Sequence, residues 1–219
     1  MKLNTKEYTF KDGKAIVISQ ESWDVSMTLS EEQRKAVDSP LDDKRMQFFR
    51  EKIYPVLFAP ASGDVPSMEE SYAMLETNPA DLDGWYKTCQ IINPTWFTHT
   101  RHNESEEVVF SDGSTVTVND GNVPSAIMRI RDLEEYAGEH PAENLIGQVF
   151  RSTFYPKLAA CSSGDVPDED TARKMPTVET NKWYEAVNRV NPQWFQSLHD
   201  LKDQVDAEQI KKKRKRPRK

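Results

Sequence analysis

The stretch Phe49–Pro66, FREKIYPVLFAPASGDVP, returns as Phe150–Pro167, FRSTFYPKLAACSSGDVP, at an offset of 101 residues. Phe-Arg, Tyr-Pro, one Leu, one Ala and the whole of Ser-Gly-Asp-Val-Pro coincide without a gap. Downstream, WYKTCQIINPTWF from Trp85 matches WYEAVNRVNPQWF from Trp183 after a three-residue contraction. Upstream, Tyr8–Ile18 matches Val108–Val118, and Met27–Pro40 matches Met128–Pro141. Four blocks kept in order read as a tandem duplication, roughly residues 7–97 and 107–195.

Each copy predicts the same local elements. Asp12-Gly13 and Asp112-Gly113 separate β-branched or aromatic runs and predict a two-residue hairpin turn. Ser30 with Gln33, and Asp132 with Glu135, have capping-box spacing and predict the start of a short helix. Pro40 and Pro141 mark its end. From about Leu41 to Leu57, the apolar residues Met46, Phe49, Ile53 and Leu57 form one helical stripe. Pro55 and Pro156 fall inside this helix and its counterpart, so a kink or a stop is expected there. Ser67 with Glu70, and Asp168 in the second copy, open another short helix. A last helix carries Trp85, Cys89 and Ile92, matched by Trp183, Val187 and Val190, and Asn93-Pro94 and Asn191-Pro192 break it as an N-cap and first-turn pair. The expected fold is α+β, mainly α: two tandem repeats, each a short β-hairpin followed by about four helices. The boundaries are repeat 1 at 1–98, a linker at 99–107, repeat 2 at 108–198, a helical extension at 199–210 and a disordered basic tail at 211–219.

Composition narrows the function. The 219 residues carry 29 Lys plus Arg and 36 Asp plus Glu, a net charge of −7. Eight of the positive charges are Lys211, Lys212, Lys213, Arg214, Lys215, Arg216, Arg218 and Lys219. Residues 1–210 therefore hold 21 basic and 36 acidic side chains, a net of −15. So acidic a body repels nucleic acid, and only the tail offers phosphate or acidic-surface contacts. There is no apolar run of membrane-spanning length, and the first residues lack a signal-peptide core, so a cytoplasmic protein without membrane contact is expected. Two cysteines, Cys89 and Cys161, make no disulfide framework or zinc knuckle, and His99-x-x-His102 stands without further ligands. No phosphate-loop, dinucleotide, zincin or EF-hand signature is present, and no carboxylate or Ser-His pair recurs at fixed spacing. A non-enzymatic protein without cofactor or metal is expected. Candidate partner contacts are Asp64 and Val65 with Asp165 and Val166 in the repeated loop, and Tyr86, Phe97, Tyr184 and Phe195, one of each adjacent aromatic pair. The two tryptophans Trp85 and Trp183 share a stripe with aliphatic residues and are expected in the cores.

Asp12-Gly13, Tyr54-Pro55, Gly63 to Pro66, Trp85-Tyr86 and Asn93 to Phe97, with their mates in the second copy, together resemble the tail assembly chaperone-like proteins of tailed bacteriophages. The resemblance implies a small, largely helical, non-catalytic protein. Its partner would be tape-measure or tail-tube protein, held against premature polymerisation in the host cytoplasm. The duplication and the basic tail are departures from that pattern. The alternatives are a nucleic-acid-associated accessory protein acting through 211–219, or a structural component of the tail or virion.

Overall fold

The computed structural model describes residues 4–97 and 105–195. His99, His102, most of the expected linker, the expected helical extension and the basic tail lie outside these described residues.

One order of elements is followed twice. The first pass is β1 (Thr5–Thr9), β2 (Ala15–Ser19), α1 (Trp23–Asp38), α2 (Lys44–Phe48), a π-helical turn (Phe49–Ile53), α3 (Tyr54–Phe58), β3 (Ala61–Gly63), α4 (Met68–Thr77), α5 (Pro79–Ile92) and a 3-10 turn (Pro94–Trp96). The second is β4 (Glu106–Val109), β5 (Thr115–Val118), α6 (Pro124–Glu139), α7 (Leu145–Val149), a π-helical turn (Phe150–Phe154), α8 (Tyr155–Ala160), β6 (Ser162–Gly164), α9 (Glu169–Lys174), α10 (Thr177–Val190) and a 3-10 turn (Pro192–Phe195). The expected α+β, mainly α class holds. Glu106 and Glu107, expected in the linker, are strand residues.

Several local expectations are corrected. The hairpin turns are wider than two residues: the Gly13 N–H bonds the Phe10 carbonyl at 3.0 Å, and the Phe10 N–H bonds the Lys14 carbonyl at 2.9 Å. Only Gly13 has positive φ in that loop. A primed two-residue turn needs positive φ at both central residues, so the loop is an ordinary turn closed by a glycine bulge. Asp12 fixes it by accepting from the Lys14 N–H at 3.0 Å. The Ser-Gly-Asp segment is the edge of a sheet rather than a free loop. Three residues of β3 pair antiparallel with β2, Ile16 opposite Gly63, and β6 pairs with β5, Val116 opposite Gly164. Each sheet is thus three-stranded.

Ser30 and Asp132 start no helix. Helix α1 begins seven residues before Ser30, at Trp23, where Ser22 accepts from the Val25 N–H. Ser30 lies inside it and donates to the Ser26 carbonyl at 3.0 Å. The prolines do not end the next helix either. In the π turn the Tyr54 N–H reaches back five residues to Phe49, as Tyr155 does to Phe150. Such widening gives room for a ring that would otherwise strike the preceding turn, and the helical run continues through Pro55 and Pro156. Asn93 takes the N-cap position of its 3-10 turn with Pro94 in the first turn, as its spacing predicts, but its side chain makes no capping bond. Asn93 bridges backbone instead, donating to the Ser19 carbonyl at 3.1 Å and accepting from the Glu21 N–H. Asn191 does the same between Asn119 and Gly121. The capping box at Ser67 and Glu70 is present, and Asp168 caps α9.

The chain divides into two compact units, and the division ignores the repeat boundary. Unit 1 takes the described residues up to Phe97 together with Asn122–Leu133; unit 2 takes the described residues 105–121 and 134–195. The core of unit 1 gathers Phe10, Ile16, Ile18, Phe49, Ile53, Leu57, Leu82, Trp85 and Cys89, and also Met128 from α6. The core of unit 2 gathers Val116, Val118, Leu158, Cys161, Trp183, Val187, Val190 and Phe195. Trp85 and Trp183 are fully buried, as the stripe predicts. Among the described residues no helix is long and apolar enough to cross a membrane.

Candidate functional site

The residues singled out from sequence separate. Asp64 and Asp165 are exposed, and Val65 and Val166 are half-buried, beside Gly63 and Gly164 at φ +95° and +88°. A Cβ on Gly164 would come within 2.8 Å of the Thr115 carbonyl oxygen, so backbone pairing alone demands glycine there. Asp165 accepts from the Thr115 N–H at 3.1 Å, which ties the segment to its own sheet. The aromatic anchors are corrected in part. Tyr86 and Phe195 are buried, while Phe97 and Tyr184 are half-buried. Each half-buried ring packs edge-on against its buried mate, Phe97 on Tyr86 at 5.1 Å and Tyr184 on Phe195 at 4.8 Å. Such edge-on packing stabilises a core corner. Lys211 to Lys219 fall outside the described residues.

In unit 1 the surface built by these helices is occupied. Asn122 and Ile127 of the α6 segment wall a small cleft, about 200 Å³, opposite Lys52, Val56, Tyr86 and Phe97. The Ser125 N–H donates to Asp83 at 3.0 Å, and its hydroxyl donates to the other carboxylate oxygen. Met128 is fully buried. The Arg131 guanidinium lies over the Phe48 ring at 4.6 Å. Arg45 donates through Nε to both Asp132 oxygens at 2.9 and 3.1 Å, and through Nη1 to the Tyr72 hydroxyl at 3.1 Å. Five successive contacts along one helix stripe thus hold an amphipathic segment in a groove between α2, α4 and α5. The carboxylate and the phenol hold the Arg45 guanidinium charged, outweighing its partial desolvation.

In unit 2 the corresponding surface is an open cleft of about 650 Å³, lined by Ile146, Gly147, Phe150, Met175, Thr180 and Asn181 among others. Three differences between the repeats open it. Gly147 stands where unit 1 has Met46, Arg173 stands where it has Tyr72, and the three-residue contraction deletes the segment that holds the buried Leu75. Ile146 on the cleft wall is 84% exposed and its neighbour Leu145 79%, at the positions of Arg45 and Lys44. Val149 on α7 and Val178 on α10 are further exposed apolar side chains of this unit. Exposed apolar side chains gathered round a concavity on an otherwise acidic protein mark an interaction surface. Sequence reasoning missed this site; its signal is the exchange of Lys44-Arg45 for Leu145-Ile146 between two otherwise matched copies.

No group of three His, Cys, Asp or Glu side chains among the described residues is placed to hold a metal ion. Burial pushes the Cys89 thiol far above its ordinary range, which keeps it protonated and a poor nucleophile. Lys157 is pushed down by burial; its ammonium donates to the Trp194 carbonyl at 3.0 Å and lies over the Phe195 ring. Compared with protein families, with curated proteins and with solved structures, the chain finds no match.

Proposed function

We propose that this is a non-catalytic interaction protein whose folded units receive amphipathic helices of other proteins. In the setting implied by the bacteriophage resemblance, it acts as a tail assembly chaperone in the host cytoplasm, with a segment of tape-measure or tail-tube protein as client. One observation carries the reading. The groove of unit 1 holds a helical segment by a buried methionine, a cation over a ring and two polar anchors, while the matching surface of unit 2 is an open apolar cleft. Helix-in-groove binding of this kind reads apolar anchors three and four residues apart. A net charge of −15 over residues 1–210 suits a holding protein, since mutual repulsion between the acidic bodies opposes their aggregation.

The test is binding of the full chain to purified tape-measure and tail-tube proteins, with the client's solubility followed over time. The expected outcome is a soluble complex that Ile146→Glu weakens, and absence of the protein from finished particles. Failure to bind any tail protein contradicts the reading. Retention of the chain in purified particles assigns it to the structure of the tail instead.

A further inference from the structure

Two helices of this chain share one register, and only one has its outer stripe covered. Along α6 that stripe is Pro124, Met128, Arg131 and Asp132, spaced four, seven and eight residues from its start, and it is the face held in unit 1. The same positions on α1, 101 residues earlier, are Trp23, Met27, Ser30 and Glu31, and all four are exposed. Trp23 is 80% exposed and Met27 53%, whereas Met128 is fully buried. The opposite stripe of α1 turns inward, with Val25 and Leu29 half-buried and Ala36 buried. Its outer face is therefore a second apolar stripe, and a large indole on it stands in water.

The open cleft of unit 2 is the surface that, in unit 1, the covered stripe occupies. Ile146 takes the place of Arg45, Val149 of Phe48, Phe150 of Phe49 and Asn181 of Asp83. The polar partners have changed on both sides together. Where unit 1 sets Ser125 against Asp83, the second pairing sets Asp24 against Asn181, still a donor facing a carboxylate. Where unit 1 sets Asp132 against Arg45, it sets Glu31 beside Arg173, which stands in place of Tyr72, a further partner of Arg45 alongside Glu76. The Arg173 side chain is 42% exposed and pairs with Asp170 at 3.5 Å on its own helix, which leaves its remaining N–H groups to meet a further carboxylate.

We propose that the outer face of α1 in one copy, led by Trp23, Met27 and Glu31, docks in the unit 2 cleft of a second copy, joining chains head to tail. This rests on the reading of each unit as a receiver of amphipathic helices, and names the occupant of the cleft when no client is bound. The contact is heterologous: a single contact joins two different surfaces and leaves the pair one free face of each kind. Chains grow into open oligomers or rings, and a client helix competes for the last open cleft.

The experiment is light scattering on the purified full chain across concentrations up to about 1 mM, the range in which weak associations are populated. The wild type is expected to exceed the 25.2 kDa of one copy as concentration rises. Met27→Glu and Ile146→Glu lie on exposed positions, and circular dichroism checks that each is folded. Each variant alone is expected to remain at 25.2 kDa, because each lacks one of the two surfaces. Their equimolar mixture has one intact helix face and one intact cleft, and is expected to reach twice that mass and stop. A wild type that stays monomeric, a variant that still associates alone, or a mixture that fails to pair while the wild type associates would each overturn the proposal. A monomeric wild type that still binds a tail protein through the cleft overturns self-association and leaves the proposed function standing.

Discussion

Two indole N–H groups at the same place in the two cores are accommodated differently. Trp183 donates to the Ser162 hydroxyl at 2.9 Å, and that hydroxyl passes its own proton to the Leu158 carbonyl at 2.6 Å. In unit 1 the position of Ser162 is Ala61, and Trp85 Nε1 is buried with no hydrogen-bond partner among the described residues. Because β3 and β6 have the same register, Ala61→Ser should place a hydroxyl between Trp85 and Leu57. It is expected to stabilise unit 1 by about 1 kcal/mol, seen as a rise in its melting temperature. Ser162→Ala should cost unit 2 about 1–3 kcal/mol, since it strands a buried donor. If both substitutions leave thermal melting unchanged, this account of the indoles is wrong. The tryptophans themselves were legible as core residues from their stripe. Their hydrogen-bond partners were not, because they come from a strand too short to show any alternation.

At the scale of elements, the first hairpin is tied to α5 by Tyr8, whose hydroxyl donates to the Asp81 carbonyl at 3.0 Å, and by the Lys11 N–H, which donates to the Asp81 carboxylate at 2.9 Å. Burial, reinforced by the negative charge of Asp81, pushes the Tyr8 hydroxyl up to about 12. In the unfolded chain it titrates near 10. The folded state therefore prefers the neutral phenol: its contribution is intact below pH about 10 and is lost as pH rises through about 12. Val108 replaces Tyr8 in the second hairpin, so the effect belongs to unit 1. Thermal melting between pH 9 and 12 should fall less steeply for Tyr8→Phe than for the wild type, although the variant is less stable at neutral pH. An equal slope in both would remove Tyr8 as the cause. The order of helices was readable from stripes and caps, and Ser67-Glu70 formed the box its spacing announced. Ser30-Gln33 had the same spacing and formed none, because Ser22 caps the chain eight residues earlier and the helix is already two turns long. A capping box is a local possibility, and the first competent cap in the chain takes the helix.

For the whole molecule, the sequence repeat and the folded units are offset from each other. The repeat places Asn122–Leu133 in the second copy; packing places it in the first unit, with Met128 in that core. No pattern within the segment could reveal this, since its apolar spacing is the same whichever surface receives it. Comparison of the copies does carry a trace: Met27 and Met128 match, yet Arg45 and Phe48, which meet the segment, have become Ile146 and Val149. The central claim is that the first unit depends on a helix lent by the second repeat. The two cysteines report on it directly, for Cys89 is buried in unit 1 and Cys161 in unit 2. Met128→Ala removes a buried side chain and should cost about 2–5 kcal/mol. Native-state thiol labelling of this variant is predicted to accelerate at Cys89 and to keep the wild-type rate at Cys161. Acceleration at Cys161 with Cys89 unchanged would contradict the account.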